Sequence, residues 1–131
     1  MGFPDGLKYT KEHEWAKVMN GNEVRIGITD YAQKELGDIV FIDIPSAGTE
    51  VEQGNAFGVI ESVKAVSDLY SPVTGKISSV NEKLQDAPEL VNNDPYGEGW
   101  MLAVTMSDSS QLNSLMDAAA YTAYVEEVKK G

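Results

Sequence analysis

The chain has 131 residues, enough for one domain that buries roughly two-thirds of the surface exposed by its unfolded form. Ten basic residues stand against 21 acidic ones, and the net charge of −11 disfavours nucleic acid as a partner. Cysteine is absent, which excludes disulfides, thiolate nucleophiles and cysteine-based metal sites. No apolar run approaches the ~18 residues that cross a bilayer, so we expect a cytoplasmic protein without a membrane segment. One histidine and scattered carboxylates provide no set of metal ligands, so we expect no metal site.

The N-terminal part of the chain has the pattern of a β-hairpin followed by a short helix. Asn20 and Gly21 favour the positive φ angles of a type I′ turn. Asp30 is predicted to cap the helix, and Gly37 is predicted to end it. The predicted bounds are 13–19 and 23–28 for the two strands and 29–37 for the helix.

The middle of the chain alternates apolar stretches with turn residues, which is typical of short antiparallel strands. Residues 66–75 are predicted to descend from a hairpin tip, and residues 86–99, rich in Pro, Asn, Asp and Gly, are predicted to form a loop. The remaining strands are predicted at 38–44, 55–63, 76–84 and 100–106.

The C-terminal part changes from a two-residue period to a helical one. Its apolar residues recur at intervals of three and four, and Asp108 and Asp117 are candidate N-caps. We therefore predict a helical tail over about 108–129. The apolar positions are Leu112, Leu115 and Met116, then Tyr121, Tyr124, Val125 and Val128.

Candidate catalytic groups are few, and one lysine draws attention. The single histidine, His13, is by itself more typical of a packed or solvated residue than of a catalyst, and the glycines form no phosphate loop. In "GVIESVKAVSDLYSPVTG", residues 58–75, Lys64 stands between Val63 and Ala65 at the predicted tip of a hairpin, three residues after Glu61. These neighbours favour a specific use for the Lys64 side chain.

The segments "ESVKAVSD" and "SPVTGKI" resemble the lipoate-attachment site of lipoyl domains. Further segments resemble, in the same order, the H-protein family of the glycine cleavage system, so we interpret the chain as one domain, 1–131, with the resemblance covering about 7–127. Those segments are "LKYTKEHEW", "GITDYAQKELGDIVFIDIP", "FGVIESVKAVSDLYSPVTGKI", "LVNNDPYGEGWM" and "LMDAAAYTAYVEE".

This resemblance implies a mostly β fold with short helices: a flattened hammerhead-type barrel or sandwich of two antiparallel sheets, with C-terminal helices. It also implies that lipoic acid is attached to Lys64 through an amide. By the same resemblance, Glu61 and Gly75 help to present the lysine to a lipoylating enzyme. Glu14 and Asp68 line a cleft that shelters the loaded arm.

The implied function is that of a non-catalytic carrier. It takes an aminomethyl group from a pyridoxal-phosphate glycine decarboxylase to a tetrahydrofolate-dependent aminomethyltransferase, and dihydrolipoamide dehydrogenase reoxidises it. We expect a monomer, in the cytoplasm or, for a mature organellar form, in the mitochondrial matrix. Some relatives have a histidine where this chain has Glu35, so no imidazole function is transferred to that position.

Four alternative functions compete with that of a glycine cleavage carrier. A biotin carrier usually has methionines beside its lysine, whereas Val63 and Ala65 stand here. A lipoyl domain of a 2-oxoacid dehydrogenase typically has an acidic residue before the lysine and belongs to a longer chain. A Schiff-base enzyme would bury Lys64. A protein that relays lipoate to other carriers stays open. The intact mass of the cellular protein distinguishes lipoyl, biotinyl and unmodified forms.

Overall fold

The computed structural model describes residues 3–130, which form two antiparallel sheets and several short helices. The strands are β1 (Lys8–Tyr9), β2 (Glu14–Asn20), β3 (Glu23–Ile28), β4 (Ile39–Asp43), β5 (Glu50–Val51), β6 (Ala56–Ser62), β7 (Val66–Tyr70), β8 (Gly75–Val80) and β9 (Leu102–Met106). The helices are α1 (Asp30–Leu36), α2 (Lys83–Asp86), α3 (Leu90–Asn93) and α4 (Ala118–Lys130), with a 3-10 helix at Ser109–Ser114. The predicted mostly β fold is confirmed.

The two sheets pack as an open sandwich. One has six strands in the order β1-β2-β3-β9-β8-β5, and the other has three in the order β4-β6-β7. Alternating apolar side chains from both sheets meet in one core, for example Ile26 and Val104 from the larger sheet and Ile60 and Leu69 from the smaller. Across residues 3–130 neither sheet closes into a barrel, and no helix there is long and apolar enough to cross a bilayer.

Helix α1 forms where it was predicted, but its cap differs. Thr29 has extended backbone angles, and its hydroxyl accepts a hydrogen bond from the Ala32 amide at 3.3 Å. Asp30 already lies within the helix, where its carboxylate accepts from Nε2 of Gln33 at 2.8 Å. The prediction of Asp30 as the N-cap is therefore wrong by one residue. Gly37 ends the helix with a φ of +82°, as predicted, because glycine adopts this angle without strain.

The predicted strand 76–84 is too long. Strand β8 ends at Val80, and the buried Asn81 side chain then donates hydrogen bonds to the carbonyl oxygens of Glu98 and Trp100, at 2.8 and 2.7 Å. These bonds turn the chain into α2. The predicted loop that follows contains the short helix α3. Contacts made 17 and 19 residues later therefore decide where the strand stops.

The helical tail is confirmed, but its first segment is a 3-10 helix. Asp108 and Asp117 each accept a backbone N–H in the following turn, as predicted for N-caps. Between the two helical segments, Met116 pairs with Tyr9 of β1 through two backbone hydrogen bonds of 2.7 and 2.9 Å. This pairing holds Met116 in an extended bridge, so one continuous helix cannot form.

Helix α4 is held in place by a second, aromatic cluster. The Tyr9 and Tyr121 rings stack with centroids 4.6 Å apart and an interplanar angle of 6°. The Tyr121 hydroxyl lies 2.7 Å from Oγ1 of Thr29 and 2.8 Å from Nδ1 of His13. Helix α4 therefore fixes the start of α1 and the segment before β2, and both of these segments border the candidate site.

Candidate functional site

Lys64 lies exposed at the turn between β6 and β7, as predicted. The buried Ser62 side chain organises this turn, because its hydroxyl oxygen accepts the backbone N–H groups of Lys64 at 3.3 Å and Ala65 at 3.0 Å. The Ser62 amide also donates to the Ala65 carbonyl at 2.8 Å. The backbone beneath the lysine is thus held while its amine remains accessible. Sequence reasoning missed Ser62, although a serine just before a turn is a recognisable signal.

The hairpin tip is also fastened to the segment that follows α1. The Val63 amide donates to the Asp38 carbonyl at 3.0 Å. A Cβ built at Gly37 would lie 3.5 Å from Cε of Lys64, so the stem of the lysine runs beside the C-terminal end of α1. An arm attached to Lys64 therefore starts next to the helix that borders the adjoining cleft.

A cleft of about 290 Å³ lies between α1, the start of β2 and β7. The structure brings Glu14 and Asp68 together on its lining, and Glu35 lies there too. The lining residues are Glu12, His13, Glu14, Ile28, Tyr31, Ala32, Glu35, Leu36, Ile60, Ser67, Asp68 and Leu69. The cleft thus combines an apolar floor with several carboxylates.

Glu14 is the most buried of these carboxylates, with a side chain only 2% exposed. One carboxylate oxygen accepts from the Thr10 hydroxyl at 2.6 Å, and the other accepts from the Tyr70 amide at 3.1 Å. Burial raises the pKa of Glu14 to about 7, although these two hydrogen bonds act in the opposite direction. Glu14 is therefore a buried carboxylate and not an exposed one on the surface of β2.

Asp68, in contrast, is exposed on the edge strand β7. Its carboxylate raises the pKa of the Tyr70 phenol, which is two residues away on the same face of the strand. Asp68 therefore supplies negative charge at the rim of the cleft, whereas Glu14 lies inside it.

His13 forms part of the cleft wall in a strained backbone conformation, with a φ of +70°. Its Nδ1 lies 2.8 Å from the Tyr121 hydroxyl. Burial lowers the pKa of His13, while the carboxylates of Glu12 and Glu35 oppose that shift. His13 thus connects the cleft wall to α4.

The two residues associated with lysine presentation lie in different sheets. Glu61 is partly exposed on β6, directly opposite Phe41 on one side and Val66 on the other. Gly75 starts β8 in the larger sheet, where a Cβ would clash with the Thr105 carbonyl oxygen. Glu61 thus lies on the strand that leads to Lys64, while the close approach of β8 to β9 requires glycine at position 75.

We predict that Gly75→Ala lowers the free energy of unfolding by about 1–3 kcal/mol, the usual cost of forcing an extra methyl group into a packed site. Urea unfolding of the wild type and the variant measures this change. Ser79→Ala, at an exposed position of the same strand, is the control. Unchanged stability of Gly75→Ala would contradict the packing explanation.

Comparisons with known proteins agree with this geometry. The family model described as "Glycine cleavage H-protein" matches residues 7–128. A glycine cleavage system H protein from Anaeromyxobacter sp. (strain K) is 53% identical over 127 residues, covering 97% of this chain and 98% of that relative. Its counterpart from Brevibacillus brevis is 54% identical, covering 97% of this chain and all of the relative.

Solved structures give the same result. The crystal structure of a glycine cleavage system H protein from Mycobacterium marinum superposes on this structure with a TM-score of 0.86 at 37% sequence identity. The superposition covers 94% of this chain and 98% of the Mycobacterium marinum chain. Because the family match, the relatives and the fold all extend over nearly the whole chain, this protein belongs to the glycine cleavage H-protein family.

Proposed function

We propose that this protein is the lipoyl carrier of a glycine cleavage system and that Lys64 holds lipoic acid through an amide. The observation that carries this proposal is the exposed Lys64 amine on a hydrogen-bonded turn beside a carboxylate-lined cleft. The proposed carrier moves an aminomethyl group from a glycine decarboxylase to an aminomethyltransferase, and a dihydrolipoamide dehydrogenase reoxidises it. The three partner enzymes catalyse the reactions, and the carrier itself works as a cytoplasmic monomer.

The residues present fit a lipoyl group. The exposed position of Lys64 gives an attaching enzyme access to Nζ and disfavours a Schiff-base enzyme, which would bury its lysine. A lipoyl-lysine arm extends roughly 14 Å by standard bond lengths. When bound, lipoic acid supplies a disulfide ring that takes up the aminomethyl group with reduction. The 290 Å³ cleft has the volume of about ten water molecules, enough for the end of such an arm.

Two carboxylates of the cleft are placed to shelter a loaded arm, one inside the cleft and one at its rim. Both oxygens of Glu14 accept hydrogen bonds from the protein, and the residue lines the cleft. We propose that the ammonium of the cargo meets Glu14 inside the cleft and Asp68 at its rim. A cation there favours the ionised form of Glu14, so entry of the cargo releases a proton near neutral pH.

Glu61 and Gly75 are proposed to act in presentation of the lysine by different routes. Glu61 lies in the strand that leads to the hairpin and is partly exposed, which favours direct contact with a lipoylating enzyme. Gly75 acts indirectly, because it allows β8 to approach β9 and so supports the sandwich on which the hairpin stands.

We expect Glu14→Gln to shorten the lifetime of the aminomethyl-loaded protein in buffer, by up to about a hundredfold, if the charge-assisted contact contributes up to about 3 kcal/mol. Glutamine keeps the size of the side chain and removes its charge, and its amide nitrogen donates where one carboxylate oxygen accepted. Ammonia release in the absence of the partner enzymes measures the decay. Glu127→Gln, on the exposed surface of α4, is the control. Equal decay rates in Glu14→Gln and wild type would contradict the sheltering function.

The carrier function itself is tested by reconstitution. Lipoylated protein, glycine, tetrahydrofolate, NAD⁺ and the three partner enzymes should form NADH in proportion to glycine consumed. Omission of the carrier should stop the reaction. NADH formation at the same rate without this protein would contradict the proposed function, and transfer of lipoate to other carriers instead would favour the relay function.

A further inference from the structure

A group of exposed apolar side chains surrounds Lys64. Among residues 3–130, six large apolar side chains are exposed, and four of them lie on β4 or at the β6–β7 hairpin. We call these four residues the lysine-side patch. They are Val40, Phe41, Val63 and Val66, with exposed fractions between 49% and 69%. Such clustering is more informative than single exposed apolar residues, which are common on protein surfaces.

A β-bulge creates half of this patch. Ile39 lies opposite Ser62 and Phe41 lies opposite Glu61, so β4 has one extra residue, Val40, at this point. In a regular strand Val40 and Phe41 would point to opposite faces, and one of them would enter the core. The bulge instead leaves both exposed. Bulges commonly redirect side chains beside functional sites.

The outer face of the small sheet combines this apolar surface with negative charge. Phe41, Glu61 and Val66 are directly opposite one another across β4, β6 and β7, so their side chains share one face. The next row on that face contains Asp43 and Asp68. A complementary surface would therefore have an apolar centre and cationic side chains.

We propose that the lysine-side patch, with Glu61 inside it, is the docking surface for the enzyme that acylates Lys64. This inference rests on the proposed function, because it requires that Lys64 is acylated. In that reaction Nζ attacks the carbonyl carbon of an activated lipoyl donor, the leaving group departs with its electron pair, and Nζ loses a proton to solvent. The amide forms at Nζ itself, so the acylating enzyme must cover the hairpin. Enzymes that act at the end of a 14 Å arm have no such requirement.

The negative charges of this face disfavour a second copy of this chain as the partner that binds the lysine-side patch. Two copies meeting through this face would bring Glu61, Asp43 and Asp68 close to their counterparts, in a protein with a net charge of −11. The bulge also disrupts the exposed edge of β4, which discourages pairing with another strand. An acylating enzyme with basic residues around an apolar surface would avoid the charge repulsion and would need no strand pairing.

The test compares acylation of the double variant Val40→Ser/Phe41→Ser with that of Val18→Ser. Val18 is 48% exposed on β2 in the larger sheet and provides a matched control. A lipoate–protein ligase, lipoic acid, Mg²⁺ and ATP supply the reaction, and intact mass measures its progress. We expect kcat/KM for the patch variant to fall about tenfold or more, mainly through a higher KM, because a few desolvated side chains near the centre of an interface contribute most of the binding energy. Val18→Ser should match wild type.

Two further measurements exclude other causes. Modification of Lys64 by an N-hydroxysuccinimide ester, followed by peptide mapping, should proceed equally in all variants, which shows that the amine is unchanged. Glu61→Lys should reduce acylation more than Glu61→Gln, because it places a cation against the partner's cations.

Equal acylation of the patch variant and wild type would overturn the docking proposal alone. The docking proposal would also be overturned if the wild type sedimented as a dimer, and if the patch substitutions dissociated that dimer without slowing acylation. Failure of the wild type to become acylated at all would overturn both this inference and the proposed function.

Discussion

Lys64→Arg should support no measurable glycine cleavage in the reconstituted system, although its melting temperature should stay within experimental error of wild type. Arginine keeps the charge and most of the stem, but its guanidinium does not provide the amine that the lipoyl amide requires. The Lys64 side chain is exposed, so the substitution removes no core contact and changes stability by less than about 0.5 kcal/mol. Glycine-dependent NADH formation and thermal unfolding measure the two effects.

The matched control for this prediction is Lys76→Arg, an exposed lysine on β8 in the larger sheet. It should keep full activity. A large loss of stability in Lys64→Arg would show that the lysine has a structural function. Retained activity in Lys64→Arg would contradict lipoyl attachment at this position.

The free energy of unfolding should fall as pH rises from about 5 to 8, by about 2.5 kcal/mol more in wild type than in Glu14→Gln. Burial raises the pKa of Glu14 from its ordinary value of 4.5 to about 7, so the folded protein binds a proton that the unfolded chain has lost. The resulting stabilisation is complete below about pH 4.5 and is lost as pH rises through about 7. Glutamine stays neutral at every pH and removes this dependence.

Urea unfolding of both proteins at several pH values measures this difference. The comparison with Glu14→Gln also separates Glu14 from His13. The pKa of His13 is lowered, so its contribution is present above the ordinary histidine pKa of 6.5 and is lost as pH falls. Parallel stability curves for the two proteins would contradict the raised pKa of Glu14.

A raised pKa also affects the proposed function. Near pH 7 the empty cleft contains Glu14 as a mixture of carboxylic acid and carboxylate. The cationic cargo would bind the carboxylate, so retention of a loaded arm should strengthen as pH rises through this range. Glu14 would thus ionise mainly when a cation is beside it. The protein thereby avoids the cost of a buried, unpaired charge when no cargo is bound.

The hairpin and its lysine were predictable from sequence because the signals are local. Alternating apolar residues on either side of Lys64 indicate two strands, and Ser62 and Ala65 lie close enough along the chain to form the turn by themselves. The N-caps at Asp108 and Asp117 were predictable for the same reason, since each cap involves residues within one helical turn.

The parts that sequence missed depend on partners far along the chain. The burial of Glu14 involves the Tyr70 amide 56 residues later, and the 3-10 segment ends where Met116 pairs with Tyr9. The bulge at Val40 depends on the register between β4 and β6. A two-residue pattern predicts alternation and cannot show where one extra residue is inserted.

Lipoyl attachment at Lys64 is tested most directly by the mass of the protein isolated from cells in which glycine cleavage is active, followed by tandem mass spectrometry of its peptides. We expect one lipoyl group, located on the peptide that contains Lys64 and attached at its Nζ. A biotinyl group at that position, or an unmodified Lys64 throughout the population of such cells, would contradict it.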